Sequence, residues 1–364
     1  MLSYFTVVEK NGGKLHQGFG FLLQPEVKGI VGTTRQSDTT LDFGIDIGLF
    51  NNRFNIEADY FNKKTKDIIV QLPIPLILGG ITAPNENVGE MLNKGFELTL
   101  NYENIPANSD QFGYGFGLNC TYVDNMVTKF RKDAPDQLRL IREGYSYRTL
   151  YGFKAIGVYQ SDEEGNAHMY ANGFKPQAGH LKFEDVNGDG KLDYQDKQEL
   201  GNTIPKVTYG ASANFSYKNF DLSILFQGLA GSYLYTNSQY TRIDLELQTI
   251  TTKWRDAWTP ENPNTNIPAV RFNSSWDNSE NSFWVHRSDF LKLKNIQLGY
   301  LLPKTITSVL GINRLYCYAN AQNVFTILMF KGYEGFDPER PYDGDGASVY
   351  PVARVVSFGI NLTF

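Results

Sequence analysis

Cysteine and histidine are scarce in this 364-residue chain, and no stretch of it is apolar enough to form a membrane helix. The only cysteines, Cys120 and Cys317, lie far apart, which excludes a disulfide framework and a zinc-knuckle spacing. The four histidines, His16, His168, His180 and His286, show no metal-ligand spacing and have no nucleophile beside them. No glycine-rich turn opens a helix, so a phosphate cradle is not indicated, and no enzyme activity is expected. No run of eighteen apolar residues occurs. The N-terminus, MLSYFTVVEKNGGKLHQ, lacks the basic start, apolar core and small-residue cleavage site of a signal peptide. Charged residues make up 20% and the net charge is −5, which argues against a nucleic-acid surface. Taken alone, these absences describe a soluble protein. The strand pattern contradicts that reading.

Aromatic residues and glycine are plentiful: 14% aromatic, with 25 Phe, 22 Tyr and 34 Gly. That mixture favours strands and tight turns. In KVTYGASANFSYKNFDLSILFQG, Val207, Tyr209, Ala211, Ala213, Phe215 and Tyr217 share one phase. Thr208, Gly210, Ser212, Asn214 and Ser216 share the other, and the alternation resumes after Lys218-Asn219 with Phe220, Leu222, Ile224 and Phe226. Similar runs are LDFGIDIGLF, RFNIEADY, GFELTLNY, GYGFGLNCTYV, DFLKLKNIQLGYLL (with a bulge), LYCYANAQNVF and VVSFGINLTF. Such runs span about ten residues, longer than ordinary globular strands and matched to a bilayer-crossing strand. Acidic residues at strand centres (Asp46, Glu57, Asp59, Glu97) suit a face lining water, with the apolar face toward lipid. The expected fold is therefore all-β, an antiparallel transmembrane β-barrel, with about nine strands from Leu41 to Phe364 and one more near Gly18 to Leu23.

Connections alternate between tight and long. Asn51-Asn52 and Lys218-Asn219 are tight, whereas 129–205 and 231–286 are long, as expected for periplasmic turns and extracellular loops respectively. The chain ends SFGINLTF, whose terminal Phe364 and alternating phase resemble the C-terminal strand signal of outer-membrane barrels.

Within the first long loop, DVNGDGKLDYQD carries Asp185, Asn187, Asp189, Asp193 and Asp196 at positions one, three, five, nine and twelve of a calcium-type loop. Gly190 takes the sharp-turn position six, and Lys191 the position that offers a backbone carbonyl. PQAGHLKF is not the helix that precedes an EF-hand, and a short helix is expected after it, near Tyr194 to Leu200. A structural Ca2+ is the expected ligand. The second long loop holds a helical pattern from Ile243 to Trp258. Trp254, Trp258 and Trp276 are candidates to touch a sugar ring or a partner lid, set against plain loop packing; Trp284 suits either packing or an interfacial girdle. YDGDGASVYP, 342–351, is a weaker cation candidate.

Several segments together carry a family resemblance: NNRFNIEADYFNKKTKDIIV, NVGEMLNKGFEL, FEDVNGDGKLDYQD, IPKVTYGASANFSYKNFDLSILFQGLAG, WTPENPNTNIPAVR, FLKLKNIQLGYLLP, YANAQNVF, FKGYEGFDPE and YPVARVVSFGINLTF. In this order they resemble the C-terminal part of the barrel of a SusC/RagA-type TonB-dependent outer-membrane transporter. The resemblance implies residence in the bacterial outer membrane and TonB-dependent import of oligosaccharide or peptide. It also implies a SusD-like lipoprotein partner, the TonB complex and contact with outer-membrane lipid. Residues 1–364 correspond to the C-terminal portion of such a receptor; the family's signal peptide, TonB-contacting segment and plug have no counterpart here, so a fragment is expected. Two other readings stay open at this point: a soluble β-rich carbohydrate-binding module with a calcium-stapled loop, and a non-functional remnant.

Overall fold

The computed structural model describes residues 4–6, 17–21, 36–71, 85–106, 108, 110–131, 138–167, 169–170, 173–236, 252–272, 274–329, 337–339 and 352–364. Their main feature is one eleven-stranded sheet whose spatial order follows the chain order. We number these wall strands β1 (Tyr4–Thr6), β2 (Gln17–Phe21), β3 (Ser37–Leu49), β4 (Phe54–Gln71), β5 (Asn85–Asn104) and β6 (Gly113–Lys129). They continue as β7 (Val207–Tyr217), β8 (Phe220–Ala230), β9 (Phe290–Leu301), β10 (Arg314–Leu328) and β11 (Val355–Thr363). Every neighbouring pair is antiparallel. The sheet is open, with β1 and β11 at its edges, and no barrel closes among the described residues. The sequence pattern anticipates every wall strand except β1.

The alternation that defines the strands also defines the two faces. Phe43, Ile45, Phe96, Leu98, Phe116, Leu118, Phe358 and Ile360 stand exposed on the outward face. An apolar expanse of that extent is untenable in water and is what lipid covers. Tight turns join the strands at one end. Phe50, Asn51 and Asn52 all take left-handed backbone (φ 53, 57 and 63) between β3 and β4, a conformation that asparagine tolerates better than most residues. Lys218 (φ 53) and Asn219 make the β7–β8 hairpin, with Tyr217 opposite Phe220.

Strand length is uneven. β4, β5 and β6 run 18, 20 and 17 residues, against 11 for β7 and β8. The sequence pattern starts β5 near Met91, but the strand begins at Asn85. The cause is a break in register between Thr65 and Ile69, centred on Asp67 at φ 56, which scrambles the period-two signal while pairing continues outward. Bulges also offset β9 against both of its neighbours, as DFLKLKNIQLGYLL suggests.

At the end of the wall opposite the tight turns, the two long excursions fold into a cap of short strands and turns. Thr149–Phe153 pairs with Arg139–Leu140 and Lys197–Gly201, Ala155–Val158 with Leu181–Phe183, and Tyr233–Tyr235 with Val285–Arg287. Of the expected Ile243–Trp258 helix, residues 252–258 are described: Thr252–Asp256 is a 3-10 turn, and Ala257 and Trp258 lie beyond it in irregular backbone. The expected helix over Tyr194–Leu200 is corrected as well: a 3-10 turn at Tyr194–Asp196 gives way to strand Lys197–Gly201, because pairing with Thr149–Phe153 captures the backbone.

Candidate functional site

The cap has an aromatic interior. Phe153, Val158, Tyr159, Leu181, Phe183, Leu192 and Trp276 form one buried cluster; Trp254, Ala257 and Trp284 form a second. The Trp276 ring stacks with Phe174 and with Phe183, each at 5.2 Å between centroids. Trp254 and Trp284 pack at 6.2 Å, with Phe283 edge-on to Trp284 at 4.8 Å. Burial pushes the Tyr159 phenol up to about 12, helped by the nearby Glu164 charge, which marks a dry interior.

Polar bonds tie the two excursions to each other. Trp276 Nε1 donates to the Leu181 carbonyl at 2.7 Å, and Asp277 accepts from Leu181 N–H at 2.8 Å. The other Asp277 oxygen meets buried His180 Nδ1 at 2.8 Å and Ser274 Oγ at 2.6 Å. Ala155 N–H donates to Ser282 Oγ, and Phe153 N–H to the Glu280 carbonyl. Ser274, Asp277 and His180 resemble a nucleophilic constellation only in residue type. The serine bonds to the aspartate rather than to the histidine, so no base is set against it.

The four tryptophans singled out by sequence therefore have different fates. Trp254 and Trp276 are buried and serve as packing, as does Trp284, which lies inside the cap rather than in a membrane girdle. Trp258 is half-buried, donates from Nε1 to Gln160 Oε1 and lies against Gly179.

The Asp185–Asp196 loop closes on its own backbone. Asp185 accepts from Gly188 and Gly190 N–H, Asp189 from Lys191, and Asp193 from Gln195, all at 2.7–2.8 Å. Asn187 Oδ1 accepts from Asp189 N–H. Asp196, fully buried, accepts from Val186 and Asp193. Gly188 and Gly190 adopt φ 72 and 76, which only glycine takes without strain. Each carboxylate oxygen keeps a second lone pair beyond its N–H bond. Among the described residues, no three His, Cys, Asp or Glu side chains converge as a ready cage. The weaker candidate at 342–351 lies outside the described residues.

The inward face of the wall is a polar lining. Asn125 Nδ2 donates to Asn93 Oδ1 at 2.6 Å, and Asn320 Nδ2 to Asn295 Oδ1 at 2.7 Å, each pair spanning neighbouring strands. Tyr316 Oη donates to Asp221 at 2.9 Å. Gly299 makes room for that contact, since a Cβ there would strike both groups. Two recesses on this face stand out among the described residues. One of about 470 Å³ lies near the tight turns, between Gly113–Gly117 and Ser212–Ser216. The other, of about 740 Å³, is lined by Asp42, Asp59, Lys63, Thr65, Asn93 and Glu97 among others.

Sequence reasoning missed one constellation on this lining. Lys292 on β9 is buried, and its Nζ donates to both Asp337 oxygens and to Glu339 at 2.7–2.9 Å. Lys294 adds two bonds to Glu339. Burial alone would raise the Glu339 carboxyl, but the two lysines outweigh it and hold it below the usual range. The available signal was a pair of lysines in an otherwise apolar strand, together with an acidic FDPE segment downstream.

Residues 36–324 match the family model "TonB dependent receptor-like, beta-barrel". The chain is 31% identical to TonB-dependent receptor P3 of Formosa agariphila, over 93% of this chain and 36% of that one. It is 27% identical to the TonB-dependent receptor SusC of Bacteroides thetaiotaomicron, over 90% of this chain and 32% of that one. Its fold is similar to a chain of the RagAB peptide importer in the open-open state, with TM-score 0.72 at 23% identity, covering all of this chain and 38% of that one. The chain thus spans about a third of the length of the curated relatives it matches. These relatives are receptors and transporters rather than enzymes, and the soluble carbohydrate-binding module is set aside. With its lipid-suited outward face and wet inward face, the chain belongs to the TonB-dependent receptor β-barrel family of the bacterial outer membrane.

Proposed function

We propose that this chain forms barrel wall and outer cap of an importer that takes up oligosaccharides or peptides, driven by the TonB complex and lidded by a SusD-like lipoprotein. The observation that carries this reading is the division of one continuous sheet into an apolar outward face and a polar inward face, with a folded cap at its outer end. Asparagine, serine and tyrosine groups on the lining can exchange hydrogen bonds with the hydroxyls of a glycan or the amides of a peptide. Trp258, half-exposed on the cap, is the remaining tryptophan able to offer ring surface to a sugar or to the lid. No bond of the cargo is broken. The RagAB peptide importer, similar in fold, supports the peptide class, and the oligosaccharide class rests on the SusC/RagA-type resemblance of the sequence. The test is a deletion strain grown on separate panels of glycans and of peptides as sole nutrient, with affinity purification of the tagged full-length protein. Failure to grow on one panel, rescued by complementation, and co-purification of a lipoprotein are expected. Unimpaired uptake on every nutrient would contradict the reading.

Calcium at Asp185, Asn187, Asp189, Lys191 (through its carbonyl), Asp193 and Asp196 is part of the same proposal, as a fastener of the cap. The ligand spacing and the left-handed turns at Gly188 and Gly190 support it.

A further inference from the structure

The tall part of the wall carries a feature that transport does not use. Tyr60, Phe96 and Tyr122 sit side by side on the outward face of β4, β5 and β6, with Tyr60 and Phe96 rings 5.1 Å apart. Outward aromatics at this level mark a membrane interface. Level with Tyr122, β7 begins at Val207, whereas β4, β5 and β6 continue beyond it. The next outward positions, one step of about 6.6 Å along the strands, are Asn62, Lys94 and Asp124. One step further come Lys64, Leu92 and Met126. Lys66, Glu90 and Lys129 follow, with all three lysines Lys64, Lys129 and Lys66 close enough to act electrostatically on Glu90. The alternate residues Lys63, Thr65, Met91 and Asn93 line the inward recess, which fixes the lysine cluster on the outer side.

Among the described residues, the four lysines here stand beside the carboxylates of Glu90 and Asp124. Lys64 pairs with Glu90 at 2.8 Å and Lys94 with Asp124 at 3.4 Å, each lysine side chain remaining more than 40% exposed. The surplus is positive, it sits just beyond the aromatic interface, and it is interleaved with the apolar Leu92 and Met126. A phosphate at the end of a lipid has matching charge, depth and amphipathic character: the ammonium groups act as point charges on the phosphate, and the apolar side chains touch the adjoining acyl region. We infer that Lys64, Lys66, Lys94 and Lys129 form a docking site for the phosphate groups of an outer-leaflet lipid, at one sector of the barrel. The site fixes lipid beside the tall wall.

The test uses the full-length outer-membrane protein containing this chain, purified in detergent, with bisphosphorylated and dephosphorylated lipid A as probes in native mass spectrometry. Wild type is expected to retain the phosphorylated lipid in preference to the dephosphorylated one, with retention falling as salt rises. The variant Lys64→Gln/Lys66→Gln/Lys94→Gln/Lys129→Gln is expected to lose tenfold or more in apparent affinity. Lys63→Gln, on the inward face, is expected to leave it unchanged. Heat-modifiable electrophoretic mobility confirms that each variant is a folded barrel. Equal retention of the two lipids, undiminished binding by the quadruple variant, or pairing of two barrels through this face instead of lipid binding would each overturn the inference. None of these readouts depends on the cargo, so the inference stands or falls separately from the importer reading.

Discussion

The Lys292 ammonium lies 2.8 Å from a carboxylate oxygen of Asp337, forty-five positions along the chain, and both side chains are largely withdrawn from solvent. Glu339 completes the cluster from the same segment, so the 337–339 turn is held against the inner wall by charge rather than by apolar packing. Removing one partner of a buried pair leaves the other charge uncompensated, at a cost of about 3–5 kcal/mol. Asp337→Asn combined with Glu339→Gln, which strips buried Lys292 of both partners, is therefore expected to release this segment while the wall stays assembled. Limited proteolysis should show faster cleavage between β10 and β11 with unchanged heat-modifiable mobility. An unaltered cleavage pattern would remove the ion cluster from its anchoring role.

The wall was legible in the sequence because each strand must satisfy two solvents at once. Val207, Tyr209 and Ala211 against Thr208, Gly210 and Ser212 record that constraint directly. The cap was not legible, because its contacts are long-range and follow no period. Trp276 meets Leu181 and Phe183 from the other excursion, so its burial could not be inferred from its neighbours in sequence. The Lys292 cluster was hidden for the same reason, and the phase shift at Asp67 hid the first residues of β5, which begins at Asn85 rather than near Met91. The Asp185–Asp196 motif was visible as a pattern, while its closure onto backbone amides emerged only from geometry.

Trp276→Ala removes a ring covered by Phe174 and Phe183 and leaves the Leu181 carbonyl without its indole donor. Large-to-small changes of this kind cost about 3–5 kcal/mol. The cap is expected to become protease-sensitive within 138–201 while the barrel remains intact. Trp258→Ala, at a half-buried position, is expected to cost distinctly less. Equal sensitivity of the two variants would contradict the assignment of Trp276 to the core.

His286, in the cap strand Val285–Arg287, has its imidazole lowered to about 4 by burial and then by the Lys253 charge. The folded cap holds this ring neutral, whereas an unfolded chain protonates it below about 6.5. Its contribution to stability is thus constant above that value and is lost as pH falls from about 6.5 toward 4. The cap's melting temperature should decline across that window, and His286→Phe should flatten the decline. A slope identical in wild type and variant would assign the effect elsewhere.

Calorimetric titration of the intact protein with calcium tests the Asp185–Asp196 loop. Binding that disappears in Asp185→Ala and raises the melting temperature of the cap is expected. Absence of any binding at millimolar calcium would end the calcium proposal and leave the loop supported by its backbone bonds alone.

Gly299 accommodates the Tyr316–Asp221 contact on the inner face. Gly299→Val is expected to expel the tyrosine and to destabilise the wall by about 1–3 kcal/mol, the usual cost of overpacking. Reduced yield of heat-modifiable barrel is the readout, with Gly115→Ala, where the nearest atom is 3.5 Å away, as the tolerated control.

One face of this sheet meets lipid and the other meets water. This division is tested most directly by placing single spin-labelled cysteines at each position from 207 to 217 of the full-length protein in bilayers, with Cys120 and Cys317 replaced by serine. Collision with oxygen, which partitions into lipid, is measured against collision with a water-soluble nickel chelate. Strict alternation is expected, oxygen-accessible at Tyr209, Ala211, Ala213 and Phe215 and nickel-accessible at Gly210, Ser212, Asn214 and Ser216. Uniform water accessibility along the strand, or a repeat of three to four residues, would contradict it.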